Sequence, residues 1–197
     1  MISAKDVKRL RDVTGAGMMD CKKALQETEG DVEKAIDLLR AKGAAKAAKR
    51  ADKSANEGVI GTYIHHDGRT AVLVEINCET DFVANTDDFK ALARDIAMHI
   101  ASTAPLAVSP EEIPDEIVAR ERAIFMEQVK GEGKPEHIAG KIVEGKLQKF
   151  FKESALLAQP FVKDPDQTVQ ELITEVSART GEKIEVARFA RMKVGER

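Results

Sequence analysis

The sequence predicts an α+β protein in which a small three-helix domain and a helical linker precede an antiparallel sheet covered by helices. Three observations lead to this prediction. Glycines and capping residues divide the first 40 residues into three short helical segments. A hairpin pattern then occupies residues 59–78, and alternation returns at residues 184–194 after several helical segments. Strands followed by helices and a final strand are typical of α+β domains.

Residues 1–40 are predicted to form the three-helix amino-terminal domain. The first helix covers about residues 3–14 and ends before Gly15, which suits the left-handed position after a helix. Gly30 separates the second and third helices, and Asp31 is placed to cap the third. The apolar residues of the third helix recur on one face, and they are Val32, Ala35, Ile36 and Leu39.

Residues 41–57 are rich in alanine and lysine and are predicted to be a helical linker, because both residue types are good helix formers. An RNA-binding strip is the alternative for its basic side chains, which are Lys42, Lys46, Lys49, Arg50 and Lys53. No aromatic residues are interleaved with them to stack on bases, and a solvated helix needs the same spacing. The solvated linker is therefore preferred.

Residues 58–197 are predicted to form the larger α+β domain, which opens with a β-hairpin. Residues 59–65 and 69–78 are its strands, and Asp67-Gly68 is its turn. Helices follow, and two of their starts fit the capping box, which pairs Ser109 with Glu112 and Thr168 with Glu171. Another helix is predicted to begin at Pro135 and run toward Phe151.

Residues 184–194 return to alternation and are predicted to be the third antiparallel strand. Its apolar residues are expected on one side, interrupted by Arg188, and they are Ile184, Val186, Ala190, Met192 and Val194. If helices cover one face of the sheet, the other face must be solvated or paired with a partner.

Composition excludes several classes of function. The formal net charge of −3 gives no overall attraction to nucleic acid or anionic lipid, so a protein partner is the better expectation. No apolar run is long enough to span a bilayer, and the amino terminus lacks the apolar core of a signal peptide. We therefore predict a cytoplasmic protein that does not associate with membranes.

Catalytic, metal and nucleotide sites are not predicted. Cys21 and Cys78 continue apolar stripes and are expected to be core thiols, and no CxxC or HxxxH spacing offers a metal site. No serine lies on a G-x-S-x-G nucleophile elbow. The glycines of Gly15-x-Gly17 follow no strand and precede no G-K-[ST], so they do not form a phosphate loop. The sequence thus predicts neither an enzyme nor a protein that binds a nucleotide or cofactor directly.

Phe82 is the aromatic residue whose position is hardest to explain as core. It lies in the middle of a polar, turn-prone stretch, residues 75–85, after the second hairpin strand. With only seven Phe, one Tyr and no Trp in the chain, a ring placed there is conspicuous. Asp81 and Phe82 are therefore predicted to probe a partner, on a short helical turn that Thr80 caps.

The Phe82 stretch resembles the loop that bacterial elongation factor Ts presents to elongation factor Tu. Residues 10–25, which include Thr14-Gly15-Ala16-Gly17-Met18-Met19-Asp20-Cys21, resemble the amino-terminal block of the same family. Two shorter motifs agree, and they are Gly133-Lys134-Pro135 and Gln159-Pro160-Phe161-Val162. The resemblance implies a ubiquitin-associated-like three-helix module. It also implies a guanine-nucleotide exchange factor that binds elongation factor Tu carrying GDP and promotes GDP release during translation elongation.

The resemblance implies a wedge made of Thr80, Asp81, Phe82 and Val83. In the family the ring enters between two helices of the partner's nucleotide domain, and it disturbs Mg²⁺ coordination and the phosphate loop. Phe82 packed back on its own core, and Asp81 as a mere cap, are the alternatives.

Two further contact surfaces are implied by the resemblance. Met18, Met19 and Lys22 are candidates for a surface of the amino-terminal domain, although Met18 also suits the helical core. His65 or His66 at the hairpin turn resembles a histidine that contacts the partner. Short members of the family are expected to pair as homodimers through their sheets.

Two other functions stay open from the residues alone. An adaptor whose three-helix module binds a peptide or a ubiquitin-like partner predicts that residues 1–40 retain the activity by themselves. An RNA-binding protein that uses the linker predicts an affinity that falls steeply with salt. Neither function explains why Phe82 is displayed.

Overall fold

The computed structural model of the chain describes residues 2–132 and 135–196. Its α-helices are α1 (Ala4–Thr14), α2 (Met18–Glu27), α3 (Val32–Ala48), α4 (Asp81–Ala84), α5 (Asp87–Thr103), α6 (Asp115–Gly131), α7 (Glu136–Ser154) and α8 (Val169–Thr180). Its strands are β1 (Glu57–Ile64), β2 (Thr70–Cys78), β3 (Pro160–Phe161), β4 (Asp164–Thr168) and β5 (Glu185–Lys193). One sheet has the order β1-β2-β5, and β3 pairs with β4 in a second, two-stranded sheet. This mixture of helices and antiparallel strands confirms the predicted α+β class.

The chain divides into two compact units, each made of three separate stretches. The first unit contains Met1–Ile60, Glu75–Ala93 and Glu171–Glu185. The second unit contains Gly61–Val74, Arg94–Gln170 and Val186–Arg197. The predicted boundaries at residues 40 and 57 stay predictions.

Three helices form at the amino terminus, as predicted. Ser3 and Asp6 close a capping box at the start of α1, where the Ser3 hydroxyl accepts from the Asp6 N–H and the Asp6 carboxylate accepts from the Ser3 N–H. Gly15 follows α1 with φ of 65°, the left-handed conformation that glycine adopts without strain. The buried side chains that hold α1, α2 and α3 together are Val7, Leu10, Cys21, Ala24, Leu25 and Ala35.

The helical prediction for residues 41–57 is correct only in part. Helix α3 continues without interruption to Ala48, so residues 41–48 belong to the third helix. Residues 49–56 form turns and irregular structure.

The predicted β-hairpin is confirmed. The N–H of His65 donates to the carbonyl of Thr70 at 2.9 Å and closes the end of the hairpin. Gly68 occupies the left-handed region of the turn with φ of 66°. On β2, Val72, Val74 and Ile76 are buried, as alternation predicts.

Strand β5 departs from the predicted alternation. Ile184 and Val186 are buried, but Met192 is 75% exposed and Val194 is 58% exposed, so the expected apolar residues do not share one environment. In the second half of the strand the half-buried residues are Phe189 and Arg191 instead. The side chain of Arg191 turns inward and its Nε donates to the carbonyl of Ala101 at 3.4 Å.

The predicted helix start at Ser109 is wrong. Ser109 makes no side-chain cap, and residues 110–112 form only a 3₁₀ turn. Helix α6 begins at Asp115, because Pro114 holds Ile113 in an extended conformation. Helix α7 follows Pro135, as predicted, whereas Gly133 and Lys134 of the predicted motif lie outside the described residues.

None of the helices in the described part of the chain has the length and apolarity that a bilayer crossing requires.

A buried histidine ties α5 to the segment around β3 within the second unit. His99 is completely buried, and its Nε2 lies 2.8 Å from Oε1 of Gln159. Its Nδ1 accepts from the N–H of Val162 at 3.2 Å, so in the neutral ring Nε2 carries the proton and donates to Gln159. Thr103 donates to the same Gln159 oxygen. Burial lowers the pKa of His99 below its ordinary value of 6.5.

We expect the free energy of unfolding to decrease as the pH falls below about 6.5, the ordinary pKa of histidine. The unfolded chain gains a proton on His99 in this range, whereas the folded chain gains it only at lower pH. Stability is therefore complete above pH 6.5 and is lost as the pH falls toward the lowered pKa. The slope from one proton is at most about 1.4 kcal/mol per pH unit. Urea unfolding between pH 8 and 5 measures it.

The His99→Gln variant should show a flatter pH dependence than the parent, because it has no titrating group at this buried position. Its absolute stability should also be lower, since the smaller side chain leaves a cavity. The matched control is His66→Gln, which makes the same substitution at an exposed position outside this hydrogen-bond network. An equal slope in His99→Gln and the parent would contradict this account.

Candidate functional site

The predicted wedge lies on α4, a single short helical turn that follows β2. Thr80 precedes this turn with an extended backbone, and its hydroxyl accepts from the N–H of Val83 at 3.4 Å, which confirms the predicted cap. Asp81 and Phe82 are exposed, Val83 is half-buried, and Ala84 is buried. Phe82 has 82% of its surface exposed, so it does not pack back on its own core.

The carboxylate of Glu182 holds the backbone that leads into this turn. Its Oε2 accepts from the N–H groups of Glu79 and Thr80, each at 3.1 Å. Its Oε1 accepts from the hydroxyl of Thr80 at 2.6 Å. Glu182 therefore satisfies three donors from two consecutive residues, and bonds to a carboxylate are about twice as strong as bonds between neutral groups.

A second carboxylate, that of Glu79, binds Arg50 and the backbone of Lys183. It accepts from Nε and Nη2 of Arg50 at 2.7 and 2.6 Å, a bidentate pair. It also accepts from the backbone N–H of Lys183 at 2.6 Å. The hydrogen bonds from Arg50, followed by the bond from Lys183, lower the pKa of Glu79 to about 2, so this carboxylate is ionised at neutral pH.

The two cysteines are buried, as predicted, and neither forms a disulfide. The thiol of Cys78 donates to the carbonyl of Thr80 at 3.2 Å, so it also contacts the backbone of the wedge. Burial raises the pKa of the Cys78 thiol, which keeps it protonated and able to donate. In the described residues, no group of three or more His, Cys, Asp or Glu side chains is arranged to hold a metal ion.

The predicted amino-terminal surface lies on the first turn and a half of α2. Met19 is 64% exposed and Met18 is 43% exposed, while Lys22 is also exposed. Cys21, three residues after Met18, is buried in the three-helix core. Met18 therefore belongs to the surface rather than to the core.

The third predicted group lies at the hairpin turn of the second unit. The rings of His65 and His66 have centroids 4.2 Å apart, and Nδ1 of His65 lies 3.1 Å from the hydroxyl of Tyr63. An open pocket of about 330 Å³ lies beside this turn. Its lining includes Tyr63, His65, Met98, Arg191 and Lys193. Arg191 and Lys193 are both paired with the carboxylate of Glu196.

Sequence reasoning identified the turn but missed the residues that hold it. Glu182 stands 102 residues after Thr80 and lies between α8 and β5, with no motif around it. Arg50 was assigned to a solvated basic strip, although it pairs with Glu79. One feature of the sequence indicates a distant partner for this turn. Glu79, directly before Thr80, has no basic neighbour in the sequence to pair with it.

We expect the Glu79→Gln variant to melt at a lower temperature than the parent at neutral pH. Because the pKa of Glu79 is depressed to about 2, its stabilising contribution is complete above the ordinary value of 4.5 and is lost as the pH falls from 4.5 toward 2. The difference in melting temperature should therefore shrink over that window. Thermal melts at pH 7, 4.5 and 3 measure this, and the control is Glu185→Gln, which changes a half-buried carboxylate paired with the Lys183 side chain. A difference that stays constant would contradict the prediction.

Comparisons with known proteins place the chain in one family. The model of the family described as elongation factor TS matches residues 3–196. The elongation factor Ts of Syntrophomonas wolfei is 60% identical over 196 residues, which cover 100% of this chain and 92% of that protein. The elongation factor Ts of Moorella thermoacetica is 57% identical, over 100% of this chain and 97% of that protein. The chain belongs to the elongation factor Ts family, the family that the motifs around Phe82 and Met18 resemble.

Proposed function

We propose that the chain releases GDP from elongation factor Tu by inserting the Phe82 ring, with Asp81 beside it, into the nucleotide domain of that GTPase. Membership of the family makes the chain a nucleotide exchange factor for elongation factor Tu in translation elongation, as predicted. Such a factor changes another protein's affinity for its ligand and is not an enzyme in the usual sense. The assignment of the wedge to Asp81 and Phe82, which the family resemblance implies, is the part of the proposal that goes beyond family membership.

The observation that carries this assignment is the exposure of Phe82 on a turn that is held in place. The free protein keeps the ring in water although Phe89, seven residues later, is completely buried. Burying a phenylalanine side chain stabilises a complex by roughly 1.5–3 kcal/mol. Each 1.4 kcal/mol corresponds to a factor of ten in affinity. The ring alone therefore supplies about one to two orders of magnitude of differential binding.

Thermodynamic linkage explains how such binding releases a nucleotide. If the factor weakens the affinity of its partner for GDP by some ratio, GDP must weaken the affinity for the factor by the same ratio. A ring inserted where it displaces the phosphate loop or Mg²⁺ ligands binds well only when the nucleotide site is disturbed. Thr80 and Val83 complete the proposed wedge. Thr80 caps α4, and Val83 is the half-buried residue that follows the ring.

We also propose two secondary contacts with the same partner. Met18, Met19 and Lys22 present two flexible apolar side chains and a cation on one exposed surface of α2. Exposed methionines suit a partner surface, because the thioether side chain adapts to irregular contours. His66, exposed at the hairpin turn, and His65 beside it are the second contact.

A homodimer and a cytoplasmic location complete the proposal. Strands of the second unit expose large apolar side chains, which are Ile64, Leu73 and Met192, and Val194 directly after β5 is exposed as well. Exposed apolar groups on neighbouring strands are typical of a protein interface. The partner proposed for them is a second copy of this chain.

We further propose the division into an amino-terminal domain, residues 1–40, a linker, residues 41–57, and a larger domain, residues 58–197.

The RNA-binding alternative loses its support in the structure. Lys42 pairs with Glu27 at 2.7 Å, Lys46 pairs with Asp20 at 3.0 Å, and Arg50 pairs with Glu79 at 2.6 Å. Three of the five cations of the proposed strip therefore have carboxylate partners within the first unit. Phosphates would have to compete with these carboxylates.

Phe82→Ala should reduce stimulated GDP release by about one to two orders of magnitude, because it removes the apolar contact while leaving a small side chain on α4. Release of a fluorescent GDP analogue from elongation factor Tu measures this. The melting temperature should stay at the parent value, since the ring makes no core contact. The control is Leu106→Ala, which truncates another exposed apolar residue. If Phe82→Ala and Leu106→Ala exchange equally fast, the wedge assignment is wrong.

Leu73→Glu and Met192→Glu should each convert the proposed dimer to monomers, because a carboxylate would be buried without a partner at the interface. Sedimentation velocity over a range of protein concentrations measures the mass. Leu106→Glu places the same charge on an exposed residue outside the strands and should remain dimeric. A parent protein that is monomeric at all concentrations would contradict the dimer.

A further inference from the structure

The turn that carries Phe82 has little stability of its own. Helix α4 has four residues, and short isolated helices do not persist in water. Its amino-terminal side-chain cap, in which the Val83 N–H donates to the Thr80 hydroxyl, is long at 3.4 Å. The side chains of Asn85 and Thr86 bind carbonyls at the end of the turn, so the backbone that enters it is the part that needs support from groups elsewhere in the chain.

Glu182 supplies the first set of such groups. Its carboxylate receives the N–H of Glu79, the N–H of Thr80 and the hydroxyl of Thr80, at 3.1, 3.1 and 2.6 Å. These donors belong to the two residues directly before α4. Because both N–H vectors point at one carboxylate, the peptide planes that lead into the turn are fixed.

Glu79 and Arg50 supply the second set. While the N–H of Glu79 donates to Glu182, its side chain accepts from the N–H of Lys183 at 2.6 Å. Segments 79–80 and 182–183 are thus joined in both directions. Arg50 then fixes the Glu79 side chain through two parallel bonds, a geometry that the planar guanidinium provides and lysine does not.

We propose that Glu182, Glu79 and Arg50 are positioning residues for nucleotide exchange, which hold the Phe82 ring in the orientation that enters the partner. The inference rests on the proposed function, since it concerns how the wedge acts. Their contribution is preorganisation: the turn is ordered when the protein folds, so ordering does not reduce the free energy of binding. None of the three needs to touch the partner for this effect.

Glu182→Ala should lower the second-order rate constant of stimulated GDP release by about tenfold, through loss of an ordered turn. Glu182→Gln, which keeps one acceptor oxygen but no charge, should give a smaller loss and also serves if the alanine variant does not fold. Glu185→Ala is the matched control. It removes a carboxylate three residues later that pairs with the Lys183 side chain and not with the turn, and it should exchange at the parent rate.

A double-mutant cycle separates positioning from general destabilisation or direct contact. If Glu182 acts through the ring, Glu182→Ala should have less than about a twofold effect when Phe82→Ala is already present. Amide hydrogen exchange should become faster at Glu79, Thr80 and Val83 in Glu182→Ala. The amides of α1 and α2 should keep the parent protection.

The outcomes distinguish this inference from the proposed function. Unimpaired exchange by Phe82→Ala would overturn the wedge and, with it, the positioning role. Impaired Phe82→Ala together with unimpaired Glu182→Ala and Glu182→Gln would overturn the positioning role alone. A tenfold loss from Glu182→Ala in both backgrounds would also overturn it, because the residue would then act independently of the ring.

Discussion

The carboxylate of Glu182 is the group on which the exposed wedge depends. An apolar ring on a flexible turn would cover itself with nearby apolar groups, because that removes its surface from water. In the proposed positioning role, the three hydrogen bonds from Glu79 and Thr80 oppose this by fixing the backbone before the ring. The ring is 82% exposed. Polar interactions therefore maintain an apolar surface for a partner.

The amino-terminal helices belong to the same compact unit as the wedge, and two close contacts fix them to α8. A Cβ added at Gly15 would lie 2.5 Å from Cδ of Arg179, and one added at Gly43 would lie 3.0 Å from Cβ of Ala178. At Gly43 the backbone of α3 thus approaches α8 more closely than most side chains permit, whereas at Gly15 it is the long Arg179 side chain of α8 that lies close. Arg50, just beyond α3, continues this attachment to Glu79. The Met18 surface and the Phe82 turn consequently belong to one compact unit.

Local signals in the sequence predicted local structure well. Thr80 as a cap, Gly15 as a helix end and the Asp67-Gly68 hairpin turn depend on neighbours within a few residues, and the structure has all three. The Ser109 cap failed because Pro114 imposed a stronger local constraint. Glu182 and Arg50 were beyond this kind of reasoning, since their partners stand up to 103 residues away. Periodicity in β5 likewise indicated a strand but not that Arg191 would point inward.

A preorganised wedge is suited to a factor that must leave its partner as readily as it binds. Linkage requires the incoming nucleotide to weaken the factor's binding by the same ratio by which the factor weakened that of GDP. A large interface around the wedge would raise affinity equally for the nucleotide-bound and nucleotide-free partner, and would change no ratio. A small rigid turn contributes binding free energy only when the nucleotide site of the partner has been distorted to admit it. In the proposed mechanism, rigidity from Glu182 and Glu79 therefore contributes to discrimination, whereas extra contact area would contribute only to affinity.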